Sequence, residues 1–246
     1  KLNNNELTIG SWITIGHPSI PEILSNAGFD WLTIDMEHNS IDNSMMQNLI
    51  SVIQSKDLAA LVRVSKNEEV AIKHALDAGA DGIIVPMIKS KDDARKAIEY
   101  AKYPPLGKRG VGLSRAQNYG FSFDEYKEWQ ANNLVVIAQI EHIDGVNNLR
   151  EIIEVEGIDA IIIGPYDLSG SLGYPGDFSK PELQIALNNV IKTCKNLNFP
   201  LGYHIVGPDP ELVKLKINEG YNFISFSTDF YFMGDTAQKM MKLIMK

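Results

Sequence analysis

The 246-residue chain, 44% hydrophobic and 22% charged, carries enough apolar side chain to bury a full core and suits one α/β domain over residues 1–246 without a second. Its 23 basic against 31 acidic side chains leave a net charge of −8 with no basic run, which argues against nucleic acid as a partner because nothing would displace counterions from a phosphate backbone. A single cysteine, Cys194, rules out an intrachain disulfide and points to a buried thiol in a reducing compartment, while the absence of any apolar run near about 20 residues, or of an apolar leader segment in KLNNNELTIG, points away from a membrane and towards the cytoplasm.

Apolar periodicity divides the chain into a repeating unit. LTIGSWITIG (7–16) reads as a first strand and SIPEILSNAG (19–28) as a helix with Gly28 at its C-cap. DWLTID and AALVRV are strands, each followed by a helix (44–56 and 67–80), the second with Asn67 as N-cap and Gly79 as stop. GIIVPM and the helix 90–102 follow. Residues 103–120, with two prolines and four glycines, read as a long functional or mobile loop. A polar helix (122–133) leads to the strand LVVIAQIE and a helix at 145–155; DAIIIG is a strand, 180–197 a helix, PLGYHI a strand, 209–220 a helix, NFISFS a strand and 236–246 a closing helix. Eight strand–helix units with near-continuous apolar strands predict a parallel sheet buried on both faces. A (β/α)₈ barrel is its natural closure, with a doubly wound open sheet as the alternative; neither a dinucleotide glycine fingerprint nor a phosphate-binding Gly-Lys-Ser/Thr loop supports the open form.

Polar residues cluster where the apolar runs end, the position from which a parallel barrel presents its chemistry. Glu141 and Asp167 close neighbouring strands, and two carboxylates with water suit a hard or borderline divalent cation, although each can also favour a helix N-terminus. Asp35 and His38, three apart, are read as a carboxylate–imidazole pair in which the acid orients a general base, with Glu37 beside them. Arg63 offers forked donors to a carboxylate or a developing enolate oxygen, or an ion pair to Asp35 or Glu37. Gln139 shares the facing of Glu141. His204 and His17 end strands from which the mouth is within reach, His74 and His142 lack an evident catalytic partner, and Arg109 and Arg115 in the glycine-rich loop are read as lid or subunit contacts.

Taken in order and spacing, GSWITIG, WLTIDMEH, AALVRV, GADGIIVPMI, PPLGKRGVGLSRAQNYG, AQIE and IIIGPYDLSGSLGYPGDF resemble the HpcH/HpaI class II pyruvate aldolases over nearly the whole chain. The resemblance implies a (β/α)₈ barrel, a hexamer built as a trimer of dimers with its last helix exchanged, and metal-dependent reversible cleavage of a 4-hydroxy-2-oxo acid to pyruvate and an aldehyde. By the same resemblance Glu141 and Asp167 hold magnesium, manganese, cobalt or zinc. Arg63 contacts the keto oxygen, and His38 with Asp35 acts as acid/base, with Glu37 behind them. Gln139 lines the substrate site, the N–H groups of Tyr166 and Asp167 bind the pyruvate carboxylate, and Arg115 lies near the mouth. His142, Asp144 and the bulky Tyr166 depart from the family pattern and bear on aldehyde choice. Two other readings are weighed: a CoA-thioester lyase of the citryl- or malyl-CoA kind, for which no basic cluster is evident, and a non-catalytic metabolite-binding barrel, which would have no use for acid, base, cation and metal ligands at one rim.

Overall fold

Strands that are mostly apolar need cover on both faces, and a closed barrel inside a ring of helices supplies it. The computed structural model describes residues 1–245. Its strands are β1 (Thr8–Ile13), β2 (Trp31–Asp35), β3 (Ala59–Arg63), β4 (Gly82–Val85), β5 (Val135–Ile140), β6 (Ala160–Ile163), β7 (Leu201–Ile205) and β8 (Phe223–Thr228). Each pairs in parallel with its neighbour in sequence, and β8 returns to β1 to close the barrel. The helices are α1 (Ser19–Leu24), α2 (Asn43–Gln54), α3 (Glu69–Asp77), α4 (Lys91–Ala101), α5 (Phe123–Asn132), α6 (Ile143–Asn147), α7 (Leu149–Ile153), α8 (Pro165–Ser171), α9 (Pro181–Leu197), α10 (Pro210–Glu219) and α11 (Asp229–Ile244). The (β/α)₈ closure expected from the sequence is therefore the fold. No helix among the described residues is long and apolar enough to cross a membrane.

Several local expectations change. The helix expected over 67–80 is α3 and begins at Glu69, with Glu68 at its N-cap; Asn67 donates through Nδ2 to the Asp93 carbonyl (2.9 Å) instead of capping. The 145–155 stretch is two helices hinged at Asn148. A short helix, α8, follows DAIIIG before the helix expected at 180–197, and α11 starts at Asp229, well before residue 236.

Alternation along the strands separates two cores. Trp12, Trp31, Leu61, Ile84, Ile137, Ile162 and Phe223 fill the lumen, where Trp31 and Phe223 stack at 4.5 Å. Gly10 makes that possible, since a Cβ there would lie 2.1 Å from the Trp31 ring. Outside, residues such as Leu32, Ile34, Leu49, Ile72 and Ile161 pack strands against helices, each fully buried side chain contributing roughly 1.5–3 kcal/mol. Cys194 belongs to this jacket, and burial pushes its thiol up to about 12, as befits a structural thiol.

The two ends of the barrel are fastened differently. At the N-terminal ends of the strands a Gly-x-Asp/Asn turn occurs four times, at Gly28, Gly79, Gly157 and Gly220, each glycine with φ between +83° and +108°. The acid or amide two residues later accepts from a backbone N–H in the first two residues of the preceding strand: Asp30 from Ile9 (2.9 Å), Asp81 from Ala60 (2.8 Å), Asp159 from Val136 (2.7 Å) and Asn222 from Leu201 (2.9 Å). At the opposite end Asp229 ties β8 to the loop after β1, accepting from the N–H groups of Thr14 and Ile15 (both 2.8 Å) and from Thr14 Oγ1 (2.5 Å).

The 103–120 segment is fixed to the barrel's flank. Arg109 is buried, pairs with Asp77 Oδ1 at 2.5 Å, donates to Tyr126 Oη at 3.0 Å and lies 4.8 Å over the Tyr103 ring. That burial excludes the lid or subunit role expected for it.

Candidate active site

Because side chains two apart share a strand face, the lumen-facing sets Trp31–Thr33–Asp35, Leu61–Arg63 and Ile137–Gln139–Glu141 each end in a charged or amide group at the C-terminal mouth. Arg63 is at the centre of the cluster. Its Nε and Nη2 donate to Asp35 Oδ1 and Oδ2, both at 2.8 Å, its Nη1 lies 3.4 Å from Glu37 Oε2, and its guanidinium sits 4.4 Å over the Trp12 ring. Burial works against both members of the Arg63–Asp35 pair, but their forked hydrogen bonds outweigh it, so the Asp35 carboxyl lies below and the Arg63 guanidinium above its ordinary range.

This arrangement corrects the expected Asp35–His38 pair. Asp35 spends its oxygens on Arg63 and on the Glu37 N–H (3.0 Å), whereas His38 is exposed, with Nε2 3.7 Å from Glu37 Oε2. Glu37, raised by burial and then by the charges of Asp35 and Asp167 against the pull of Arg63, is the acid that faces the imidazole.

Glu141 is buried at the end of β5. Its Oε1 accepts from the Met87 N–H (2.7 Å), Met87 taking a left-handed φ of 56° to aim that donor, and its Oε2 accepts from Gln139 Nε2. Burial first, then the charges of Glu37 and Asp167, push its carboxyl up to about 7 despite those two hydrogen bonds. Gly164 leaves room for it, since a Cβ there would meet Glu141 Oε2 at 2.9 Å and Gln139 Nε2 at 3.3 Å. Asp167 lies in the first turn of α8, and Tyr166 beside it packs edge-on against Phe178 at 5.0 Å. His142 caps α6, its Nδ1 accepting from the Asp144 N–H at 3.1 Å.

Four carboxylates (Asp35, Glu37, Glu141, Asp167) thus face one guanidinium. That donor set fits a divalent cation on Glu141 and Asp167: burial, and then the neighbouring carboxylates, push the Glu141 carboxyl up, and a cation would offset both. No group of three or more His, Cys, Asp or Glu placed to hold a metal ion occurs among the described residues.

Two hollows open on this cluster. A recess of about 40 Å³ is lined by Gln139, Gly164, Pro165, Tyr166 and Asp167, and a cavity of about 400 Å³ by Trp12, Asp35, His38, Asn39, Thr228 and Phe230; Arg63, His204 and Val206 line both. Arg115 is not at the mouth of its own barrel. It donates to the Ala78 carbonyl and Gln54 Oε1 (both 2.9 Å) beside a cavity of about 610 Å³ at the opposite rim, where the strands begin. That larger hollow lies away from the acid–base cluster, so the chemistry belongs to the smaller pair. Trp12, Asn39 and Thr228 were not among the expected site residues; Trp12 and Thr228 belong to strands that end at this mouth, and strand parity alone would have placed Trp12 on the inward face.

The HpcH/HpaI aldolase/citrate lyase profile matches residues 8–233. The chain belongs to that family. It is 35% identical over 241 residues to the 2-dehydro-3,6-dideoxy-6-sulfogluconate aldolase of Pseudomonas putida, covering 98% of this chain and 93% of that one. It is 33% identical to the hydroxypyruvate/pyruvate aldolase of Roseobacter denitrificans with the same coverage. An HpcH/HpaI aldolase/citrate lyase family protein from Burkholderia cenocepacia superposes with a TM-score of 0.94 at 30% identity, over 100% of this chain and 97% of that one. Membership makes the protein a carbon–carbon lyase.

Proposed function

We propose that this lyase reversibly cleaves a 4-hydroxy-2-oxo acid into pyruvate and an aldehyde, with a divalent cation held by Glu141 and Asp167. The observation that carries the reading is the surplus of four carboxylates over one guanidinium at a buried mouth, with Glu141 raised to about 7. When bound, the cation would supply Lewis-acid stabilisation of the charge that develops on the C2 oxygen as the C3–C4 bond breaks. Magnesium, manganese, cobalt and zinc all suit two carboxylates and water.

The chain's own residues do the rest. Arg63, held rigid by Asp35 and by the face of Trp12, turns its remaining N–H groups towards the same C2 oxygen. The N–H groups of Tyr166 and Asp167, in the first turn of α8 where helical donors lack intrahelical acceptors, bind the substrate carboxylate. His38, set by Glu37, removes the proton from the C4 hydroxyl, and the pair of electrons in the C3–C4 bond passes to C3 and the C2 carbonyl as the aldehyde departs; protonation of C3 completes pyruvate. Gln139 steadies Glu141 and closes the recess floor. The same reading makes the protein a cytoplasmic homo-oligomer of the hexameric, dimer-trimer kind, supported by the apolar surface that α11 leaves exposed at Met240, Met241, Leu243 and Ile244.

The test is exchange of pyruvate methyl protons into deuterium oxide, followed by NMR on chelated enzyme and after adding magnesium, manganese or cobalt. Exchange needs cation, base and pyruvate but no aldehyde. It is expected only with metal and is expected to vanish in Glu141→Ala; exchange that survives that substitution would remove the basis of the proposal.

A further inference from the structure

Seven non-glycine residues among those described have a left-handed φ, and four of them are Asn or Asp, whose side chains tolerate it. Met87, with φ of 56°, is one of the other three. Its side chain gives no reason for the conformation, being 42% exposed and outside the packed core. The reason lies in the backbone. The Met87 N–H donates to Glu141 Oε1 at 2.7 Å, and the next N–H, that of Ile88, donates to the Gln139 carbonyl at 3.3 Å. Two successive donors of the β4–α4 connection thus grip the two inward-facing residues at the end of β5.

This joint is held from both sides. Before it, Val85 pairs with Ala138 in the sheet. After it, Ile88 is buried in the jacket outside the barrel, and its carbonyl lies so close to Gly145 that a Cβ there would meet it at 2.6 Å. The Lys89 carbonyl accepts from Asn148 Nδ2 at 2.9 Å, at the hinge between α6 and α7, and the Lys89 N–H donates to Asp93 Oδ2 at 3.2 Å, in the first turn of α4. Met87 absorbs the mismatch between these fixed points. Side-chain-bearing residues stay in this region only where their surroundings over-determine them, and such residues cluster at functional sites. Here the conformation aims a donor at one acid: Glu141 has Oε1 held by the Met87 N–H and Oε2 by Gln139 Nε2, which fixes the plane of its carboxylate.

We propose that Met87 is a positioning residue for the cation site: its enforced left-handed backbone aims the N–H that locks Glu141, and affinity for a divalent cation depends on that backbone conformation and not on the methionine side chain. The inference rests on the reading of Glu141 and Asp167 as cation ligands and adds a residue that acts through Glu141. Groups that orient a metal ligand are typically worth about 10–100-fold in affinity, so the contribution is large enough to read in a binding titration without any turnover.

The experiment titrates the chelated protein with manganese, reading free Mn(II) by electron paramagnetic resonance, in substitutions ordered by their tolerance of left-handed backbone. Met87→Gly and Met87→Asn adopt it readily and are expected to bind within about two-fold of the parent, although neither resembles methionine. Met87→Val, apolar like the parent but β-branched, and Met87→Pro, which also removes the N–H, are expected to weaken binding about ten-fold or more. Circular dichroism establishes that each variant is folded, and Val against Gly decides the matter if the proline variant is not. If Met87→Val binds as tightly as the parent, or Met87→Gly as weakly as Met87→Val, the backbone conformation does not set the affinity and the inference is refuted, while metal-dependent pyruvate exchange in the parent keeps the aldolase reading standing. If the parent binds no manganese, or binds it no better than Glu141→Ala does, the cation reading falls and this inference with it.

Discussion

The two rims of this barrel use the same residue types to opposite ends. Where the strands begin, Asp30, Asp81, Asp159 and Asn222 each accept a strand N–H, so every one of these groups is answered by backbone. Where the strands end, Asp35 and Glu37 share one guanidinium, Glu141 is pushed up by burial and then by neighbouring acids although the Met87 N–H reaches it, and Asn39, His204 and Thr228 have unanswered atoms. An acid satisfied by backbone stabilises the fold; acids that satisfy one another poorly wait for a ligand. The distinction is one of partners, not of residue identity or burial, and it can be broken experimentally from either rim.

The largest effect is expected at Glu141. Glu141→Gln keeps the shape and removes the charge, and should lower metal-dependent pyruvate exchange by about 10³-fold or more, the loss of a Lewis-acid contribution of several kcal/mol. The same substitution should stabilise the chelated protein. A carboxyl raised from 4.5 to about 7 in the folded state costs nothing below the unfolded value; its penalty grows as pH rises between the two and is complete above 7. Gln lacks that penalty, so the variant should gain up to about 3 kcal/mol over the parent at pH 8 and little at pH 4.5. Urea unfolding at both pH values with metal removed decides it: an equal gain at the two pH values, or none, would mean that the mouth does not strain this acid.

At the other rim the largest effect should be purely structural. Arg109→Ala removes the ion-pair partner of half-buried Asp77, leaves the Tyr126 hydroxyl only the Leu76 carbonyl and empties space between Tyr103 and Tyr126, a loss of about 3 kcal/mol for breaking the pair from one side. Thermal unfolding reads it directly. A variant of unchanged melting temperature would show that the 103–120 segment is not held by this arginine.

The asymmetry also explains what was legible in the chain. The eight-unit rhythm is written in period-2 and period-3.6 hydrophobicity, and the mouth acids sit at fixed parity on strands, so Glu141, Arg63 and Asp35 could be placed before any coordinates. Pair partners could not. Asp35 and His38 are close in sequence, yet Asp35 faces the lumen with Arg63 while His38 points to solvent, because partner choice depends on the register of β2 against β3 (Asp35 opposite Arg63), which local spacing does not encode. Arg115 shows the same limit: a loop arginine's rim depends on where the loop is pinned, here by Arg109 to the flank. The Gly-x-Asp/Asn turns were a different case. AGFD, AGAD, EGID and EGYN repeat openly in the sequence, at even-numbered strands, and mark the stabilising rim for anyone who aligns the units against each other.

That repeat yields the smallest and most discriminating prediction. Three of its members are aspartates and the fourth is Asn222, which does the same work with an amide oxygen (2.9 Å to the Leu201 N–H). Burial raises the Asp159 carboxyl despite its bond to the Val136 N–H and the pull of Lys102, so the charge is tolerated there instead of used. Asp159→Asn should therefore fall within about 0.5 kcal/mol of the parent at pH 7, because the acceptor remains. Asp159→Ala, which leaves the Val136 N–H buried and unpaired, should cost about 1–3 kcal/mol, and neither should alter kcat/KM. The sign with pH follows from the raised carboxyl: any advantage of Asn over Asp is present at neutral pH and shrinks as acid protonates the parent. Equal losses for Asn and Ala would show that this rim, like the mouth, depends on negative charge, and the contrast between the two ends would fail at its simplest point.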